Sequence, residues 1–212
     1  MTRVSAVVLA AGQSSRFRAG GGVDVTKLVA RIDGKPIVRR VVEAALAAKA
    51  RPVVVVTGYA RDSVEAAVAD LDIRLAFNPK FPTGLASSLK AGLIATPSDV
   101  AGALVLLGDM PWIGPRLIDA LIDAFLKRKD ALAAIPSREG RRGNPVLLGR
   151  DLFEAAMRLT GDEGARRLIG ALGASELVEV ETPDTGVTFD IDTPDDLAAA
   201  RRVGGGPGRT PR

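Results

Sequence analysis

The first residues able to do chemistry form a short loop of small side chains, Leu9-Ala10-Ala11-Gly12-Gln13-Ser14-Ser15-Arg16-Phe17. Small side chains let the backbone approach a ligand closely, and N–H groups at the start of a helical segment suit a phosphate chain. Arg16, and Lys27 further on, add fixed positive charge. The same residues could also form an ordinary strand-to-helix turn with solvated basic side chains. The loop is neither a Walker A loop, since the Gly-Lys-Ser/Thr ending is absent, nor a Gly-x-Gly-x-x-Gly turn.

Two acidic segments could hold a cation. Asp109 follows the apolar run Ala103–Leu107 within Gly108-Asp109-Met110-Pro111. A carboxylate at the C-terminal end of a buried strand can project into a cleft, or it can be a turn residue before the helix that starts near Pro115. The second segment is Asp190-Ile191-Asp192-Thr193-Pro194-Asp195-Asp196-Leu197. Asp195 and Asp196 fall in the first turn of a helix, where negative charge favours the dipole, and read as structural. Thr193 reads as the N-cap, Pro194 as the first turn and Asp196 as the capping-box partner. Asp192 precedes the cap and follows a strand, which leaves it available.

The chain has no histidine and no cysteine. Ser-His-Asp hydrolysis, an imidazole base, histidine-bound zinc, thiolate sites and disulfides are thereby excluded. Any metal must take oxygen ligands, which points to Mg²⁺ or another hard cation. The formal charge of +4 includes Arg201, Arg202, Arg209 and Arg212 at the far C-terminus, so no nucleic-acid-binding patch is required. The run Val4 to Ala11 is short and leads into a Gly/Ser loop, unlike a signal peptide. No apolar stretch approaches the length that crosses a bilayer, and the expected location is the cytoplasm.

The elements that must position these residues alternate along the chain. Strands are expected at Val4–Ala10, Pro52–Thr57, Ile73–Phe77, Ala103–Leu107 and Leu132–Ile135. Helices are expected from Pro36 to about Lys49, at Arg61–Asp70, Leu85–Ala95 and Pro115–Lys129. This rhythm predicts an α/β fold, a mostly parallel sheet with helices on both faces in three layers, α/β/α. Ligands in such folds bind beyond the C-terminal strand ends, where the loops above fall. From Ser137 the rhythm loosens. Arg138–Gly143 reads as a polar loop and Pro145–Leu148 as a strand. Helices follow at about Asp151–Leu159 and Gly164–Leu172, then strands at Leu177–Glu181 and Val187–Ile191 and the last helix. One domain is expected over residues 1–203, with a disordered tail over residues 204–212.

Leu9-Ala10-Ala11-Gly12-x-Ser14-x-Arg16, followed by Lys27-Leu28, resembles the signature loop of the MobA-like NTP transferases. Gly108-Asp109-Met110-Pro111 resembles the metal-binding motif of the molybdenum cofactor cytidylyltransferase branch of that family. Together with four further motifs in the family's order, within Asn78–Leu89, Gly143–Val146, Gly161–Arg166 and Asp190–Leu197, the resemblance covers Val4 to about Arg201. It implies a Rossmann-like nucleotidyltransferase fold whose residues 1–136 hold the nucleotide. Residues 137–203 would hold the acceptor and supply the second metal ligand. Leu9, Ala10, Ala11 and Gly12 would wrap the triphosphate, with Arg16 and Lys27 binding it. Asp109 and Asp192 would hold Mg²⁺, Asp190 being the lesser candidate; Arg16, Lys27 and Asp109 would be the catalytic groups. The turn Thr57-Gly58 and the residues Asn78, Gly84 and Ser88 would face the nucleoside. Gly143, Asn144, Pro145, Asp162 and Arg166 would face the acceptor.

The chain departs from the family pattern twice. The Gly-rich stretch Arg18–Thr26 separates Arg16 from Lys27, and Asn144 stands where the branch often has His. The activity implied is transfer of CMP from CTP to molybdenum-loaded molybdopterin, with a molybdoenzyme or its maturation chaperone as a partner and with no nucleic acid or membrane. GTP as donor, a sugar or alditol phosphate as acceptor, and a non-catalytic nucleotide- or cofactor-binding carrier are the alternatives.

Overall fold

The computed structural model describes residues 3–203, so the tail expected at 204–212 lies outside the described residues. The elements run β1 (Arg3–Ala10), α1 (Ser15–Ala19), β2 (Arg31–Ile32), β3 (Lys35–Pro36), α2 (Ile37–Ala47), β4 (Val53–Thr57), α3 (Arg61–Ala66) and β5 (Arg74–Phe77). They continue with α4 (Leu85–Ala95), β6 (Val100–Leu107), α5 (Pro115–Lys127), β7 (Ala133–Arg138), β8 (Arg141–Arg142) and β9 (Val146–Gly149). The last are α6 (Phe153–Ala156), α7 (Ala165–Ile169), β10 (Leu177–Glu181) and α8 (Pro194–Val203).

The main sheet has the order β10-β7-β9-β6-β1-β4-β5, with β8 paired to β7. β1 runs parallel to both β4 and β6, β4 to β5, and β10 to β7. β9 alone in that order is antiparallel, pairing with β6 on one side and β7 on the other. It thus joins the strands of the second half to the first.

Both faces of the sheet are buried, which is why its central strands are unbroken apolar runs. Val4, Ala6, Val8 and Ala10 of β1 pack toward α2 and α5, while Val7 and Leu9 pack on the opposite side with α4, α6 and α7. α5 buries Leu117, Ile118, Leu121, Ile122 and Phe125, a stripe at helical spacing. A third cluster joins Phe17, Ile32, Ile37, Trp112, Ile191 and Leu197, so α1 and α8 pack together beside the sheet's C-terminal edge.

Several expectations needed correction. Val187–Ile191 is no strand: a 3₁₀ turn covers Thr185–Thr188, with the Asp184 side chain accepting from Gly186 N at 2.8 Å. Val187 is fully buried, yet its carbonyl accepts from Asn144 N, a loop group rather than a ladder partner. The helix expected at Arg61–Asp70 stops at Ala66, and those expected at Asp151–Leu159 and Gly164–Leu172 shrink to α6 and α7. Pro36 closes β3 and caps α2 instead of lying in its first turn. The hairpin β2–β3 was not foreseen, although Asp33-Gly34, both at positive φ, is a two-residue turn of the type such hairpins favour. The insertion also has a packing role: a Cβ on Gly22 would lie 2.3 Å from the Phe17 ring, so only glycine lets the chain fold over it. Among the described residues no helix is long and apolar enough to cross a membrane.

Two local contacts set where the site residues stand. α4 meets the sheet through Gly92, where a Cβ would fall 2.3 Å from Val7 Cγ1 and 3.0 Å from Val56 Cγ2. Gly92→Ala should therefore destabilise the fold by about 1–3 kcal/mol, read by urea denaturation. α8 starts with the expected capping box. Thr193 Oγ1 accepts from Asp196 N at 3.2 Å, and Asp196 Oδ2 accepts from the N–H groups of Asp192 and Thr193 at 3.1 and 2.8 Å. Partial burial alone would raise the Asp196 pKa, but the hydrogen bonds from Thr193 and Asp192 override it and hold it below the ordinary value. Asp196→Ala is expected to lower stability by about 1–2 kcal/mol at neutral pH. Because the folded pKa is depressed, the cap's contribution is present above the unfolded value of about 3.9 and disappears as pH falls through the lower folded value. Wild-type and variant denaturation curves should therefore converge in acid below about pH 4.

Candidate active site

The chain reverses its direction of travel along the sheet between β1 and β6, and the loops leaving these two strands open a crevice there. The loops are tied at their roots: Gly108 N donates to the Leu9 carbonyl at 2.9 Å. β6 ends at Leu107, so Asp109 emerges two residues later into the crevice. The loop after the 3₁₀ turn is fastened alongside by Ile191 N, which donates to the Asp109 carbonyl at 3.1 Å. Asp109, Asp190 and Asp192 are thereby gathered, each offering a carboxylate oxygen within 4.8 Å of the others.

Lys27 lies at the centre of this group despite the insertion before it. Ser14, in the left-handed backbone region at φ 53°, shares a 2.8 Å hydrogen bond with the hydroxyl of the buried Thr26. The Ser14 hydroxyl also accepts from Lys27 N at 3.2 Å. Two side chains thus fix the lysine's backbone, whatever the length of chain between them. The Lys27 ammonium lies 2.6 Å from Asp109 Oδ2 and 2.7 Å from Asp192 Oδ1. Arg16 closes the other side of Asp192, with Nη1 2.6 Å from Oδ2. Lys27 is only 11% exposed, whereas Arg16 is 74% exposed.

The electrostatics follow from this packing. Burial pulls the Lys27 ammonium toward deprotonation, but Asp109 and Asp192 outweigh it, and its pKa lies above the ordinary lysine value. The Asp190 carboxyl is raised, first by burial of its oxygens and then by repulsion from Asp192 and Asp109. Asp109 Oδ1 is buried and has no hydrogen-bond partner. A buried carboxylate oxygen without a donor is costly unless a cation faces it, so the acidic group fits a divalent metal with Asp109 as a principal ligand.

Two cavities adjoin at Asp190, at the edge of this group. The first, of about 520 Å³, is lined by Leu9, Ala11, Gly12, Arg16, Lys27, Gly84, Ser88, Asp109 and Asp192 of the expected residues. The second, of about 490 Å³, is lined by Asn144, Asp162 and Arg166 of the expected acceptor residues. Leu9, Leu85, Leu107, Asp162 and Asp190 line both. Each is of a size that holds a small-molecule ligand.

Other expected residues stand behind the walls. Ala10 lies in the core. Thr57 is buried and donates to Glu65 Oε1 at 2.9 Å. Gly58 is pressed between Ala11 and Phe81, with no room for a Cβ. Asn78 is 3% exposed, and its side-chain amide donates to Ser87 and Ser88 at 2.8 and 3.1 Å, bracing the turn into α4 from behind. Gly143 packs against Val187, where a Cβ would lie 2.6 Å from the carbonyl oxygen, and Pro145 likewise stays off the lining. Sequence reading passed over Phe81 and Pro82, which line the first cavity, and Arg141, which lines the second. Phe81 and Pro82 lie between Asn78 and Gly84, which were named, and Arg141 lies in a segment recognised only as a polar loop.

Residues 6–177 match the MobA-like NTP transferase domain family. The chain is 27% identical to the molybdenum cofactor cytidylyltransferase of Escherichia coli, over 95% of this chain and 97% of that protein. It is 33% identical to the bifunctional protein GlmU of Symbiobacterium thermophilum over 74% of this chain, and it spans 31% of that relative's length. A nucleotidyl transferase from Methanothermobacter thermautotroptrophicus superposes with a TM-score of 0.82 at 26% identity, over 96% of this chain and 98% of that one. With this fold, and with a phosphate-suited loop facing an acidic cluster across one crevice, the chain belongs to the MobA-like NTP transferase family.

Proposed function

We propose that this nucleotidyltransferase moves CMP from CTP to the phosphate of molybdenum-loaded molybdopterin, releasing pyrophosphate. The observation that carries the reaction type is the meeting of two cavities at Asp190, beside Asp109 and Asp192 in the wall of the first. A donor in the first and an acceptor in the second would bring their reacting phosphates together at these carboxylates. The CTP and molybdopterin assignments rest on the Leu-Ala-Ala-Gly loop and on likeness to the Escherichia coli cytidylyltransferase across nearly the whole chain. In this reading residues 1–136 hold the donor, while residues 137–203 hold the acceptor and supply Asp192. Product transfer to a molybdoenzyme or its maturation chaperone follows from the same reading.

An acceptor phosphate oxygen attacks the α-phosphorus of CTP. The new P–O bond forms as the bond from the α-phosphorus to the bridging oxygen breaks, and pyrophosphate takes the electron pair. The attacking phosphate is ionised at neutral pH, so no general base is needed, in keeping with a chain that has no histidine. Asp109 and Asp192, with Asp190 beside them, would hold Mg²⁺, which when bound neutralises charge on the reacting phosphates. Arg16 and the loop N–H groups bind the β- and γ-phosphates and stabilise the leaving group. Gly12, with open space around its Cβ direction, leaves the backbone accessible to phosphate. Ala11 and Phe81 wall the donor cavity.

Arg141 and Arg166 give the second cavity its positive charge. Arg142 lines the same cavity, but its charge is paired with Glu179, with Nε at 3.0 Å and Nη2 at 2.7 Å from Oε1. A second reading keeps the reaction and changes the acceptor to a sugar phosphate, because Asn144 cannot carry a proton as histidine does.

The test is pyrophosphate release with Mg²⁺, one triphosphate and one acceptor at a time. Release is expected with CTP and molybdenum-loaded molybdopterin and should fall at least about a hundredfold in Asp109→Ala. Release with GTP instead would overturn the base assignment, and release only with a sugar phosphate would establish the second reading. Arg141→Ala should raise KM for the acceptor about tenfold and leave KM for CTP unchanged.

A further inference from the structure

We propose that Lys27 is a resident counter-ion of the metal-binding carboxylates, so that the donor site takes a metal–triphosphate complex and refuses the free cation. This rests on the proposed placement of the metal at Asp109 and Asp192. It is independent of the base and the acceptor.

The ammonium contacts one oxygen of each carboxylate, at 2.6 and 2.7 Å, and Arg16 takes the second oxygen of Asp192. Two of the three clustered carboxylates are therefore matched by two positive charges, and Asp190 stands beside them. A free divalent cation entering here would face Lys27 at contact distance, where water screens poorly because lysine and both carboxylates are largely buried. The lysine has no retreat along the chain, since Ser14 and Thr26 anchor its backbone. Its side chain can only exchange one set of anionic oxygens for another.

A triphosphate supplies that second set. Lys27 and Arg16 both line the cavity that would hold it, so phosphate oxygens would arrive within reach of the same ammonium. Lys27 would then release Asp109 and Asp192 as the accompanying cation takes its place. The partnerless Oδ1 of Asp109 is the atom left unserved while the lysine is in residence. The lysine therefore makes nucleotide and metal binding mutually dependent, and bare metal does not fill the site ahead of substrate.

Manganese titration followed by EPR, without nucleotide or acceptor, tests this. Wild type should bind Mn²⁺ weakly, and Lys27→Met should bind it roughly tenfold to a hundredfold more tightly once the competing charge is gone. Lys27→Arg keeps the cation and should stay as weak as wild type. A non-hydrolysable CTP analogue should tighten Mn²⁺ binding strongly in wild type and much less in Lys27→Met. Equal Mn²⁺ affinity in wild type and Lys27→Met, with both folded by circular dichroism, overturns the counter-ion role alone. Tight Mn²⁺ binding that survives in Lys27→Met/Asp109→Asn overturns the metal placement itself, and the proposal with it.

Discussion

Carboxylates crowded into one crevice repel each other, and the loops that bear them would splay unless a positive charge lay among them. Lys27 provides that charge, and much of the surrounding structure serves to bring the three parties together. Asp109 comes from the end of β6, Asp192 from the approach to α8, and Lys27 from a 3₁₀ turn after the insertion. These points are far apart in sequence and share no secondary-structure element. Each is fixed by backbone or hydroxyl hydrogen bonds close to it: Gly108 on Leu9, Ile191 on Asp109, Thr26 on Ser14. The ion pairs therefore form between pre-positioned groups, and less side-chain entropy opposes them than in a loose surface pair.

The arrangement also divides the labour between the two basic residues. Lys27 is largely covered and shared between carboxylates, whereas Arg16 is mostly exposed and pairs with Asp192. A guanidinium keeps its charge and its fork of donors in any setting, which in the proposed reading suits a group that would meet phosphate at the cavity wall. An ammonium is a compact point charge, closer in kind to a metal ion, and it occupies the confined position.

The central strands were legible because a sheet covered on both faces demands apolar runs, and β1, β4 and β6 supply them. The long helices α2 and α5 were legible for a related reason: each must bury one continuous stripe. The short elements were not. α6 and α7 span a turn or so each and carry no sustained period, and Val187 looked like a strand residue because burial, not pairing, selects its type. Around the crevice, the expected charged residues all line a cavity, whereas the expected glycines and uncharged polar residues divide between the cavity walls and the packing behind them. Asn78 and Thr57 have side chains fit to hold a nucleoside, yet both spend their hydrogen bonds on neighbouring side chains. Phe81 passed unread because an isolated aromatic residue carries no pattern. Lys27 was given its role through the family resemblance, since the hydroxyl pair that brings it back across the long gap is a tertiary contact with no local signal.

β9 lies between β6 and β7 and runs against both. β6 leads directly to Asp109 at the first cavity, while β7 leads to β8 and Arg141 at the second. The two halves of the chain therefore do not meet as neighbouring blocks: a strand of the second is the shared wall between them. A chain ending after β7 would leave β6 with a bare edge and β7 without its link to the rest of the sheet. The region facing one ligand cannot be exchanged like a cassette while the other is kept. Variation in what this scaffold accepts has to come through loops at the strand tips, because the sheet beneath them is woven from both halves.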